Sequence, residues 1–67
     1  MEQGKVKWFN AAKGYGFIQP ENDSGDVFLH ISAIEHAGYA NLNTGQVVRY
    51  ELQTKNGKSS AVNLQLV

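Results

Sequence analysis

Most of this 67-residue chain consists of short runs with the two-residue alternation of β-strands, and turn residues separate each run from the next. The runs cover residues 5–10, 13–20, 26–31, 47–53 and 60–66. Three runs come early, a long connection over residues 36–46 follows, and the last two runs flank Asn56 and Gly57. An Asn-Gly pair is typical of tight hairpins because both residues tolerate positive φ. The pattern therefore predicts an all-β chain that forms a small, five-stranded antiparallel barrel.

One segment has the start signal of a helix. Ser32 is followed three residues later by Glu35, which matches a capping box with Ser32 as the N-cap. Gly38 follows closely, so we expect no more than one short helical turn after the third strand. Residues 21–25 are polar turn-formers that end in glycine, and they predict a turn between the second and third strands.

The size and composition of the chain exclude several classes of protein. Sixty-seven residues leave room for one domain, and the absence of cysteine excludes disulfide frameworks and thiolate metal sites. No apolar run is long enough to span a membrane, and no apolar segment of the signal-peptide type follows the N-terminal residues. We therefore expect a cytoplasmic protein with no membrane partner.

Charge is balanced over the chain but not along it. The formal net charge is zero, which argues against a partner held mainly by overall charge. Residues 3–20 nevertheless contain Lys5, Lys7 and Lys13 and no acidic side chain. This distribution indicates a locally positive surface, and ordinary solubilising charge is the alternative interpretation.

Aromatic and aliphatic residues alternate along the second and third runs, so a strand would direct the two sets to opposite faces. The aliphatic set is Ile18, Val27 and Leu29, and the aromatic set is Tyr15, Phe17, Phe28 and His30. If the aliphatic set forms the core, two adjacent strands present rings to solvent, where polar side chains are usual. Such rings match a row of unstacked bases, since every base offers a π-face. The alternative places the rings in the core, which exposes the aliphatic set and buries a histidine without an evident partner.

Trp8 and Phe9 are neighbours, so a regular strand directs them to opposite sides. Strict alternation would place Trp8 beside Val6, the evident core residue of that run. A bulge between Val6 and Trp8 would allow Phe9 to face inward and Trp8 to lie outside, next to Lys7. We expect that arrangement, and a buried Trp8 is the alternative.

Three segments together resemble a known family. Residues 13–18 (Lys-Gly-Tyr-Gly-Phe-Ile) resemble the first ribonucleoprotein motif, and residues 27–32 (Val-Phe-Leu-His-Ile-Ser) resemble the second. Residues 4–10 before them are similar to the opening of bacterial cold shock proteins, and the resemblance extends over essentially the whole chain. It implies that residues 1–67 form a single cold shock domain with an OB-type barrel. It also implies binding of single-stranded RNA and single-stranded DNA with low sequence preference, and an ATP-independent RNA-chaperone role.

The resemblance also implies a nucleic-acid-binding surface, carried over position by position. It consists of Lys7, Trp8, Asn10, Lys13, Tyr15, Phe17, Asp26, Phe28, His30, Ile31, Tyr39 and Lys58. Ile31 stands where the family usually has another aromatic ring, which predicts a weaker base site there. Lys58 is our choice within a loop over residues 55–59 that lacks the Gly-Pro pair of many members.

A second function remains open on sequence alone, because small barrels with aromatic grooves also bind proline-rich peptides. Catalysis has little support. His30 and Ser32 share a parity without an orienting third group, and Asp23 and Asp26 lie near a turn where no further carboxylate gathers. We therefore expect no enzymatic activity, no catalytic residue, no metal site and no cofactor, and we expect a monomer.

Overall fold

Five strands close into a barrel in the computed structural model, which describes residues 1–22 and 25–67. The elements in chain order are β1 (Glu2–Asn10), β2 (Tyr15–Pro20), β3 (Val27–His30), α1 (Ile31–His36), β4 (Val47–Lys55) and β5 (Lys58–Leu66). The strand order around the barrel is β1-β2-β3-β5-β4, and β4 pairs back onto β1. This arrangement confirms the predicted five-stranded barrel of the OB type.

The strand pairs are antiparallel except for β3 and β5, which run parallel and align at one residue pair, Phe28 with Ser60. The β4–β5 hairpin extends two residues further on each arm than predicted. Its turn has φ values of 53° at Asn56 and 76° at Gly57, which confirms the predicted tight hairpin. The predicted turn over residues 21–25 includes residues 23 and 24, which lie outside the described residues.

The core lies inside the barrel and is almost entirely aliphatic. Its buried members are Val6, Ile18, Val27, Leu29, Ile34, Leu42, Val48, Tyr50, Ala61 and Leu64. Ile18, Val27 and Leu29 are among them, as the alternation predicted. Leu42 comes from the long connection between α1 and β4, a segment whose sequence has no periodicity that would have identified a core position.

A bulge in β1 separates an inward residue from an outward one. Val6 pairs with Ile18 and Trp8 pairs with Phe17, so Lys7 is the extra residue between two consecutive pairs. Val6 is buried, Phe9 packs partly buried against the core, and Trp8 remains 38% exposed. The predicted bulge and the predicted orientations of Trp8 and Phe9 are confirmed.

A second irregularity changes which residues face inward along the last two strands. Val62, Leu64 and Leu66 alternate with other residues in the sequence of β5. Arg49 pairs with Gln65 whereas Glu51 pairs with Val62, and Asn63 adopts a φ of 52° within this shift. The alternation of inward and outward side chains is therefore interrupted along β5, and Ala61 rather than Val62 lies in the core. Leu52 alternates with the buried Val48 and Tyr50, yet it is 48% exposed because this part of β4 belongs to the projecting hairpin.

The helix begins earlier than predicted, and its cap is a different residue. Ile31, assigned to the third strand from sequence, is the first residue of α1, and the N-cap is His30 rather than Ser32. The Nδ1 atom of His30 accepts a hydrogen bond from the Ser32 backbone N–H at 3.1 Å. The imidazole thus satisfies a free helical donor that a serine hydroxyl usually takes. Ile34 is fully buried and anchors the helix to the barrel.

Tyr50 carries a hydroxyl that is buried without a hydrogen-bond partner among the described residues. Burial raises the pKa of this phenol, and the nearby Glu2 carboxylate raises it further. Because the folded state holds the phenol proton more tightly than the unfolded state does, the protein has its full stability below the pKa of the unfolded state. This stability is lost as pH rises through the pKa of the folded state. We therefore expect Tyr50→Phe to increase the free energy of unfolding by about 1 kcal/mol at neutral pH.

The same substitution should also reduce the loss of stability above the ordinary tyrosine pKa of 10.0. Urea unfolding of both proteins at neutral and alkaline pH measures the two effects. A Tyr50→Phe variant that is less stable than the parent at neutral pH would show that the hydroxyl makes a stabilising contact.

Candidate functional site

Five rings lie side by side on the outer face of three neighbouring strands; we call them the aromatic row. Its members are Trp8, Tyr15, Phe17, Phe28 and His30. The strand register brings them together, since Trp8 pairs with Phe17, Phe17 with Phe28, and Tyr15 with His30. The outward orientation predicted for Tyr15, Phe17, Phe28 and His30 is therefore confirmed, and the alternative with the rings in the core is excluded.

The rings contact one another without a break. The centroid of Trp8 lies 5.6 Å from that of Tyr15 and 5.4 Å from that of Phe17, in both cases edge to face. Phe28 lies 5.8 Å from Phe17 and 6.0 Å from Tyr15, stacked on the latter with 25° between the planes. His30 lies 6.3 Å beyond Phe28 and ends the row. Mutual packing of this kind holds ring planes in place before any ligand arrives.

Gly16 allows the strands beneath the row to approach closely. A Cβ atom at this position would lie 2.3 Å from the carbonyl oxygen of Trp8 and 2.7 Å from the Cα atom of Phe9. Both of these atoms belong to the backbone of β1, so a side chain at residue 16 would separate the first two strands. The absence of a side chain at Gly16 therefore allows β1 and β2 to approach closely.

Two polar contacts flank the row, one at the end near Phe17 and Phe28 and the other at the β1–β2 turn. Lys7 Nζ donates to Asp26 Oδ2 at 3.0 Å in an ion pair between exposed side chains. Such a pair typically contributes about 0–1 kcal/mol, so a stronger anionic partner can displace it. Asn10 Oδ1 accepts the Lys13 backbone N–H at 3.0 Å, which commits the Asn10 side chain to the β1–β2 turn. Lys13 itself is exposed in that turn.

The β4–β5 hairpin and the row enclose an open cleft of about 670 Å³, which we call the hairpin cleft. It is lined by Phe17, Asp26, Phe28, Lys55, Asn56, Lys58, Ser59 and Ser60. The structure thus brings Lys58 to the row, and it brings Lys55 there as well. Lys55, Asn56, Ser59 and Ser60 were missed as site residues. The sequence contained the hairpin signal but no indication that the hairpin folds over Phe17 and Phe28.

Two of the residues assigned by resemblance lie apart from the row. Ile31 and Tyr39 are partly buried and pack against the core. The Tyr39 backbone N–H also donates to the Ile34 carbonyl at 2.8 Å, which holds the chain after α1. No ring contact joins Tyr39 to the row in the part of the chain that the structure describes.

Across residues 1–22 and 25–67, no three histidine or carboxylate side chains gather closely enough to hold a metal ion. None of the helical structure described has the length and apolar character needed to cross a membrane. The site itself is a series of flat rings in mutual contact, with lysines beside it.

Comparison with known proteins agrees with this geometry. The family model for the 'Cold-shock' DNA-binding domain matches residues 2–67. A probable cold shock protein of Sinorhizobium fredii is 60% identical over 67 residues, covering 97% of this chain and 97% of that protein. A cold shock-like protein of Rickettsia bellii is 59% identical over 63 residues, covering 94% of this chain and 90% of the relative. A cold shock protein of Bacillus subtilis is 49% identical over 65 residues, with 97% of both chains covered. The chain belongs to the cold-shock DNA-binding domain family, whose members bind nucleic acids and are not enzymes.

Proposed function

We propose that the aromatic row binds single-stranded RNA and single-stranded DNA with low sequence preference, and that the protein acts as an ATP-independent RNA chaperone. The observation that carries the proposal is the unbroken contact of five outward-facing rings across three strands. Unpaired bases can stack on such rings, and each stack contributes roughly 1–3 kcal/mol with any base. A duplex hides the faces of its bases, so the row selects open strands.

Cations around the row would contact the phosphates of a bound strand. Lys7 lies next to Asp26, which lines the hairpin cleft, and Lys13 lies in the β1–β2 turn. Lys55 and Lys58 line the hairpin cleft beside Phe17 and Phe28. The balanced net charge favours stacking over bulk electrostatics as the main source of affinity. Asp26 lines the same cleft, where its carboxylate is a hydrogen-bond acceptor for base edges.

Chaperone activity follows from mass action alone. A protein that binds only the open form of a weak hairpin shifts the equilibrium toward that form, and it needs no nucleotide hydrolysis to do so. The sequence contains no Gly-x-x-x-x-Gly-Lys-Ser/Thr motif of the kind that cradles ATP phosphates. We further propose that residues 1–67 act as a single domain, as a monomer and in the cytoplasm.

Ile31 and Tyr39 take a secondary place in this proposal. Both pack partly against the core, and among the described residues no ring contact joins Tyr39 to the row. Asn10 acts indirectly, by shaping the turn that presents Lys13. The remaining residues of the predicted surface lie in the row or at its margins.

Trp8 fluorescence tests the proposed function directly, since this is the single tryptophan of the chain and it belongs to the row. Oligothymidine should quench the emission saturably, because a base stacks on the indole. A duplex containing the same sequence should quench it far less at equal concentration. Equal quenching by both ligands would contradict single-strand selectivity, and quenching by a polyproline peptide alone would favour a peptide-binding module.

A further inference from the structure

A second cleft, of about 370 Å³, adjoins the far end of the aromatic row; we call it the side cleft. Phe28 and His30, the last two rings of the row, form part of its lining. Phe28 and Ser60 also line the hairpin cleft, so the two clefts meet at the β3–β5 contact. A ligand that lies along the row can therefore continue into the side cleft without leaving the surface.

The side cleft forms where three elements separate. The parallel strands β3 and β5 align at one residue pair, and the chain turns into α1 immediately after His30. On the opposite wall, the irregularity at Asn63 takes Val62 out of the core, so that Val62 lines the cleft. The space is thus a product of the topology and of one bulge, and α1 forms its remaining wall through Ser32 and His36.

The lining combines apolar surface with neutral polar groups. Ala33, Ala61 and Val62 contribute the apolar part, while polar side chains come from Gln53 and Asn63. None of the lining residues carries a carboxylate. A nucleobase has the matching chemistry, because it has two apolar faces and an edge of uncharged donors and acceptors.

Hydrogen bonds within the protein use only some of the donors and acceptors of these polar side chains. Asn63 Nδ2 donates to Glu51 Oε1 at 2.8 Å, which fixes the carboxamide and leaves Oδ1 as an acceptor. His30 Nδ1 accepts the Ser32 N–H, which holds the imidazole in place. The cleft is therefore lined on opposite walls by two polar side chains that hydrogen bonds within the protein hold in place.

We propose that the side cleft receives the base of one additional nucleotide of the strand that lies along the aromatic row. This inference rests on the proposed single-strand function and adds a subsite beyond its rings. The base enters between α1 and β5, and its edge is recognised by the carboxamides of Gln53 and Asn63. The subsite extends the footprint of the protein by one nucleotide past His30.

Oligothymidines of increasing length test the subsite, with affinity measured by the anisotropy of a labelled strand. Gln53→Ala combined with Asn63→Gly removes both carboxamides, and glycine tolerates the φ of 52° at position 63. We expect this variant to bind short oligomers, which cover only the row, as the parent does. For oligomers long enough to reach the cleft, we expect an affinity loss of about 3- to 10-fold.

Gln65→Ala is the matched control, because Gln65 is an exposed amide on β5 that does not line the cleft. It should leave binding unchanged at every length. In a second experiment, an abasic residue is placed at either end of the long oligothymidine. At one of the two ends it should lower the affinity of the parent protein by as much as the double substitution does. An equal loss at all lengths, or no loss at any length, overturns the subsite while single-strand binding stands. A parent protein that binds no single strand overturns the proposed function and the subsite together.

Discussion

Replacing Phe28 with alanine should weaken binding to a short oligothymidine by about 5- to 150-fold, which corresponds to roughly 1–3 kcal/mol. Phe28 has the largest expected effect on binding because it occupies the middle of the surface. Its ring contacts Tyr15, Phe17 and His30, and it lines both clefts. Its loss removes a stacking face and also breaks the continuity of the row.

Anisotropy of a labelled strand is the appropriate measurement, because it does not depend on Trp8 emission. Phe28→Tyr is the matched control, since it keeps a ring of the same shape and should bind nearly as the parent does. Leu52→Ala removes an exposed apolar side chain outside the row and should leave binding unchanged. Urea unfolding must accompany these titrations. If Phe28→Ala unfolds the protein rather than weakening binding, Phe28 is structural and the proposed role is wrong.

Replacing Gly16 with alanine should lower the free energy of unfolding by about 3 kcal/mol or more. The added Cβ atom meets backbone atoms of Trp8 and Phe9, which cannot rotate away as a side chain could. A chain of 67 residues has a total stability of roughly 3–10 kcal/mol, so this loss is a large fraction of the total and should lower the unfolding temperature strongly. Circular dichroism with thermal unfolding measures the effect.

Gly57→Ala separates this steric effect from the general cost of replacing glycine. Gly57 has a φ of 76° and nothing within 4 Å of an added Cβ atom, so alanine there incurs only the left-handed backbone cost of roughly 1–2 kcal/mol. Gly16→Ala should therefore be clearly the more destabilising substitution. If the two variants have equal stability, the close approach of β1 and β2 does not limit residue 16.

The alternation of side chains along the sequence predicted the barrel and the row, because both follow from how a single strand directs its side chains. Aliphatic and aromatic residues alternate in the second and third runs, and a strand converts this alternation directly into an inner and an outer face. The bulge near Trp8 was predictable for the same reason, since two neighbouring aromatic residues cannot both follow a regular alternation beside Val6. Register then placed the rings of adjacent strands side by side.

The remaining features depend on contacts that are distant in sequence. The irregularity at Asn63 appears only when β5 is paired with β4, so the sequence alone does not show that Ala61 rather than Val62 lies in the core. His30 replaces Ser32 as the N-cap because the helix begins at Ile31, two residues earlier than the capping-box pattern indicated. Lys55 and Ser60 reach the row through the projection of the hairpin, which no local pattern specifies.

Because of the extra residue in β1, the side chain that this strand contributes to the interior and the one that it contributes to the outer surface can be changed independently. On one side of Lys7 the strand contributes Val6 to the interior, and on the other it contributes Trp8 to the outer surface. Substitutions at Trp8 can therefore alter what the surface displays without repacking the interior, and substitutions at Val6 can do the reverse. A designer who wishes to add a ring to the outside of a small barrel can obtain it by inserting one residue, with the neighbouring strands left in place.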